Sequence, residues 1–214
     1  MRFVLLGALC LSGCTALLDA NFEADTVGAL PNASPAGPPA TDAIDVQPGA
    51  GSEISVTGDA LQGNRSLRIE AAPNSSARAF FRASGPGTSS LPVVIDMAGR
   101  LTPGSHAEVN VWTGSPFFAV QISMQNGQIV ANGINAGSYL EGGAHRMILT
   151  LFPSTDTFSL TYSGQVVVGN GISGPLNRPT SYPGARLGVA VETLATGQGS
   201  VYIVDDVTIS SRSF

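Results

Sequence analysis

The sequence predicts an all-β protein built from antiparallel sheets packed face to face. Three observations carry this. Past residue 14, apolar and polar residues alternate with period two, and no long stretch follows the 3.6-residue helical period. The alternating runs are short and are separated by clusters of Gly, Pro, Asn and Ser, with 26 Gly and 14 Pro among the 214 residues. Asn126-Gly127, set between Met124 and Ile129, is a two-residue hairpin signal, because both turn positions need positive φ.

Taken in order, Met1-Arg2 supplies one positive charge and Phe3 to Leu11 is an apolar run. The run is too short for a bilayer span, which takes about 20 residues. With the small residues that follow, it reads as a secretory signal over residues 1–13. The alternation then predicts strands over 17–24, 53–56, 66–71, 77–83, 92–97, 107–112 and 117–124. It continues over 128–131, 146–152, 157–162, 165–168, 187–192 and 200–210. Ser163-Gly164 is a second hairpin signal. The Pro-, Ala- and Gly-rich stretch at about 25–51 reads as a long surface loop inside a single domain over 17–214, preceded by a short tether at 14–16. One strand ahead of it would not make a domain.

Composition narrows the function. Net charge is −5, and all ten basic residues are Arg. No cluster of cations is available to displace counterions from nucleic acid, so no nucleic-acid partner is expected. A hydrophobic fraction of 43% is too high for a disordered chain.

Leu11-Ser12-Gly13-Cys14 resembles the lipobox of bacterial lipoproteins. The resemblance implies cleavage before Cys14, acylation of its thiol and amine, and attachment to a membrane through that residue. Thr15, where an Asp would favour inner-membrane retention, implies the cell envelope and the outer membrane in a Gram-negative organism. Cys10 would leave with the signal, so disulfides and zinc–thiolate sites are not expected.

Three further segments resemble the concanavalin A-like (laminin-G-like) jelly rolls of bacterial secreted proteins. They are Asn21-Phe22-Glu23-Ala24-Asp25-Thr26-Val27-Gly28 with Leu30-Pro31, then His145 to Leu149 with Thr157 to Gln165, and finally Val201 to Ile209. The resemblance implies a jelly-roll β-sandwich, a fold that hosts lectins, carbohydrate-binding modules and glucanases, so function must be argued from the site. The Glu-x-Asp-x-x-Glu strand of the glucanases is absent, as is a Gly-x-Ser-x-Gly elbow, and the expected protein is not an enzyme.

Two groups of residues stand out. In the strand from His106 to Trp112, Ala107, Val109 and Val111 face one way and His106, Glu108, Asn110 and Trp112 the other. The Asn126-Gly127 turn sets Gln121 opposite Asn132. An aromatic flanked by amides, a carboxylate and an imidazole is what a sugar platform needs, so these six are the candidate glycan-binding residues. Arg78, Phe80 and Arg82 form another polar–aromatic face. The second group is carboxylates: Asp205 falls in phase with Val201, Ile203, Val207 and Ile209, and Asp206 points the other way. A carboxylate on an apolar face must be compensated. The jelly-roll resemblance implies a structural calcium held by Asp205 or Asp206 and by Glu23, with Asp25 or Asn21 nearby; hydrogen bonds or an Arg partner are the alternative. Phe118, Val120, Ile122, Leu149, Leu151, Leu160, Val189 and Ile203 are expected in the core. The expected function is a non-catalytic, lectin-like or carbohydrate-binding envelope lipoprotein. The alternatives are a structural or protein-interaction lipoprotein and, behind it, a glycan hydrolase.

Overall fold

A computed structural model describes residues 14–32, 44–83, 91–112, 118–163, 165–166, 172–176 and 187–212. The signal expected at 1–13 lies outside them. The described residues form sixteen strands, one short 3-10 turn at Pro153–Thr155 and no α-helix. The strands are β1 (Cys14–Ala20), β2 (Ile44–Pro48), β3 (Glu53–Thr57), β4 (Ser66–Ala71), β5 (Ser76–Arg82), β6 (Val93–Leu101), β7 (His106–Trp112) and β8 (Phe118–Gln125). Then follow β9 (Gln128–Ala131), β10 (Ile134–Ser138), β11 (Ala144–Phe152), β12 (Thr157–Tyr162), β13 (Gln165–Val166), β14 (Ile172–Pro175), β15 (Gly188–Leu194) and β16 (Ser200–Arg212).

They make two antiparallel sheets, the all-β sandwich that the alternation predicts. One runs β10-β9-β8-β7-β15-β5-β2. The other runs β13-β12-β11-β6-β16-β4-β3, with β1 also on β16 and β14 also on β12. Between them lies one core of alternate residues, among them Phe81, Val109, Ile122, Met124, Leu149, Phe158, Leu160, Val191 and Tyr202. The hairpin at Asn126-Gly127 forms as its sequence demands, with φ of 52° and 71°. Ser163, at φ 51°, closes the second, joining Tyr162 to Gln165.

Four expectations are corrected. Residues 14–16 are no free tether: β1 begins at Cys14, which pairs with Arg212. The loop at 25–51 contains strand β2, whose Ile44 is buried and whose register runs along β5. Five residues of alternation were masked by the surrounding Pro and Gly. Phe118 is not in the core. A bulge shifts the β7–β8 register so that Val111 faces Val120 but Trp112 faces Phe118, which spends the extra residue, Ala119, on the interior. Finally, β16 has a bulge between Asp205 and Thr208, with Asp206 at φ 47°. Tyr202 and Val204 on one side of it and Val207 and Ile209 on the other therefore all reach the core. Asp205 and Ile203 share the opposite face, where both are nonetheless covered.

A polar cluster lies inside, among the described residues. His145 stacks on Tyr162 at 4.5 Å and on Tyr202 at 5.8 Å between ring centroids. Gly99 is required beneath them, since a Cβ there would overlap the Tyr202 hydroxyl and come within 2.6 Å of His145 Nε2.

Candidate functional site

The outward side of the seven-stranded sheet is built as three rows in register. Arg78, Glu192, Glu108 and Ser123 form one row; Phe80, Ala190, Asn110 and Gln121 form the next. Arg82, Gly188, Trp112 and Phe118 form the third. His106 stands at one end, level with Leu194 and Gln125. Strand alternation thus unites the two polar–aromatic faces that the sequence shows separately, because β15 joins β7 to β5.

Glu108 is the hub. Its Oε2 accepts from Asn110 Nδ2 and from Gln121 Nε2, each at 3.1 Å. Its Oε1 lies 3.9 Å from His106 Nε2, which is also 3.0 Å from the Ser123 hydroxyl. Next to it, Glu192 is nearly buried, and its Oε2 accepts two bonds from the Arg78 guanidinium at 2.9 and 2.5 Å. Arg82 donates to Asp45 at 3.0 Å. Both guanidiniums lie over the Phe80 ring, at 5.5 and 6.0 Å from its centroid. At the other end Trp112 is half-buried, and a Cβ on Gly188 would sit 3.8 Å from its indole.

Five of the six expected residues, His106, Glu108, Asn110, Trp112 and Gln121, come together on this face, with two changes of role in the full set. Asn110 is 1% exposed: the neighbouring side chains cover it, and its Oδ1 has no hydrogen-bond partner. Asn132, at φ 47°, fastens a turn. Its Oδ1 accepts from the Gln121 backbone at 2.8 Å, and its Nδ2 donates to the carbonyls of Ala119 and Pro175. Glu192 and Ser123 join the face without having been singled out. Glu192 alternates with the buried Val189 and Val191, so its phase was visible, but its partner Arg78 is 114 residues away.

Two of the expected calcium ligands, Glu23 and Asp205, already accept hydrogen bonds within the protein. Glu23 Oε1 accepts from the backbone of Asn64 and Arg65 at 2.8 and 3.1 Å, and these bonds hold its pKa below the usual carboxylate value. Asp205 Oδ2 accepts from the Gln62 backbone and the Ser66 hydroxyl, and its Oδ1 from the Asp206 backbone. Burial nevertheless raises the Asp205 pKa. Among the described residues no three His, Cys, Asp or Glu side chains are grouped to hold a metal, whereas calcium takes six to eight oxygens. The geometry fits the hydrogen-bonded alternative. Beside Asp205, on the outer side of the nine-stranded sheet, a groove of about 440 Å³ is lined by Gln62, Ala98, Arg146 and Ser163 among others. Its cation is engaged, since Arg146 makes two bonds to Asp96 at 2.7 and 2.6 Å.

No protein-family model matches the chain, and no curated protein matches it in sequence. Its fold does match solved structures. Arcelin-5, a lectin-like defence protein from Phaseolus vulgaris, superposes with a TM-score of 0.56 at 11% identity, covering 95% of this chain and 100% of that one. Peanut lectin gives 0.54 at 11%, covering 84% and 94%. A sialidase gives 0.63 at 10% identity over 79% of this chain, which spans only 17% of the sialidase's length. The fold is therefore an antiparallel, lectin-like jelly-roll sandwich.

Proposed function

We propose that this is a lipid-anchored protein of a bacterial cell envelope, on the outer membrane in a Gram-negative organism, whose sandwich binds glycan without catalysis. The observation that carries the reading is the arrangement around Glu108. A carboxamide, Gln121, stands in the row beside an aromatic step of Trp112 and Phe118; the Glu108 carboxylate to which it donates lies one row further, and the His106 imidazole, bonded to Ser123, lies beyond that. An indole can cover the apolar face of a sugar ring while preset polar groups orient its hydroxyls. The lectins among the structural neighbours support the same reading. The non-catalytic part rests on the two adjacent carboxylates, each already committed: Glu192 to Arg78, and Glu108 to two amide donors. The anchor rests on Leu11-Ser12-Gly13-Cys14.

The test has two arms. A screen of the protein lacking residues 1–13 against polysaccharides and envelope glycans should return a binder. Cys14→Ser should move the full chain out of the detergent-extracted membrane fraction. One observation favours a second reading, a structural or protein-contacting lipoprotein: the Arg78–Glu192 and Arg82–Asp45 pairs satisfy half of the face without any ligand. A screen with no hits would leave that reading in place.

A further inference from the structure

The topology brings Cys14 and Trp112 to the same end of the sandwich. Cys14 pairs with Arg212; its neighbour Ser211 is level with Val93, and Val93 with Leu151. Val93 opens β6, the strand next in sequence to β5, and β5 ends at Arg82 in the row of Gly188 and Trp112. His106 marks the opposite end, where its backbone donates to Ser200 at 2.9 Å. At the Cys14 end, Leu91 is 37% exposed just ahead of β6, and Trp112 and Phe118 are half-buried.

We propose that this end of the sandwich rests on the lipid surface, with Trp112 at the membrane–water interface. The inference rests on the anchoring reading, that Cys14 is the acylated residue. Acyl chains on Cys14 enter the bilayer, and the residue that carries them is already paired in the sheet. No spacer separates lipid from sheet, so the sheet end must lie at the headgroups. An amphipathic indole and an exposed Leu are the side chains that such a boundary accepts, since the ring finds an apolar layer on one side and water on the other. The glycan-binding face then stands upright on the membrane, its Glu108 and His106 rows above the lipid. A glycan reaching the Trp112 row would be one lying along the membrane.

Trp112 is the single tryptophan, so its emission reports this contact alone. The full chain, processed in a bacterial host and purified in detergent, is reconstituted in phosphatidylcholine vesicles brominated near the headgroup end of the acyl chains. The protein should carry acyl mass on Cys14, float with the vesicles and lose a clear part of its Trp112 emission relative to unbrominated vesicles, because an indole at the interface meets the bromines there. Bromines at the far end of the chains should quench less, and Cys14→Ser mixed with the same vesicles should keep its emission. Acylated, floating protein whose Trp112 is unquenched overturns the docking while leaving the anchor. Protein with no acyl chain overturns the anchor and the docking together.

Discussion

His145 Nε2 lies 2.9 Å from the Tyr202 hydroxyl on the buried side of the nine-stranded sheet. Burial of the ring outweighs the nearby Gly143 backbone and lowers the His145 pKa from 6.5 to about 4. The imidazole is therefore neutral in the folded protein across the range where it would charge in the unfolded chain. The folded state binds fewer protons, so its stability is full above pH 6.5 and falls as the pH drops toward 4. The loss should approach roughly 3 kcal/mol. Asp205 and Asp206, whose pKa values are raised by burial, act in the opposite sense. The effect is read as a difference: denaturant unfolding of His145→Phe should show a shallower decline over this window than wild type. Parallel curves would assign the acid limb to other groups.

The shifted register on β8 predicts an unequal pair of substitutions. Phe158 is fully buried, and a Cβ on Gly174 would come within 2.7 Å of its ring. Phe158→Ala should therefore cost about 3–5 kcal/mol through lost burial and a cavity. Phe118, half-buried beside Trp112 on the outer face, should cost no more than about 1 kcal/mol on the same change. Equal losses in chemical denaturation would place Phe118 back in the core.

The two bulges explain where the sequence was legible and where it was not. Period-two reading assigns Ala107, Val109 and Val111 to the core correctly, because β7 alternates without interruption over those residues. It fails at Ala119 and Asp206, where one added residue inverts the phase with no change in composition. Asp206 carries the one local hint, since Asp tolerates the left-handed backbone it adopts there. The polar face was visible from alternation, but not its covering. The burial of Asn110 depends on Glu108 and on Gln121, which a different strand supplies. The partnership of Arg78 with Glu192 across β5 and β15 needed the sheet order.

The Asp205 hydrogen bonds lead to a metal test. With Gln62, Ser66 and Asp206 donating to its oxygens, the carboxylate needs no cation, and chelator should leave the melting temperature unchanged. Asp205→Ala should instead cost about 1–3 kcal/mol, because it strands the buried Ser66 hydroxyl and the Gln62 N–H. A melting point that drops with chelator and returns with added calcium would restore the metal reading through binding to the folded state.

The glycan reading stands or falls on Trp112. Its strand neighbours Val111 and Val109 fill the core, while the indole lies on the other side in the row of Arg82, Gly188 and Phe118. Truncating it opens no space between the sheets, so Trp112→Ala should unfold at nearly the wild-type denaturant midpoint. It should nevertheless lose most of its glycan affinity, since a stacked ring contributes much of the apolar area buried by a sugar. Gln121→Ala should weaken binding less than Trp112→Ala. It removes one donor to Glu108 and leaves the Asn110 donor in place. Calorimetric titration of the three proteins with a glycan found by screening separates the possibilities. Full affinity in Trp112→Ala would remove the aromatic step from the site. Unfolding of that variant would show that the ring holds the sheet together rather than meeting a ligand.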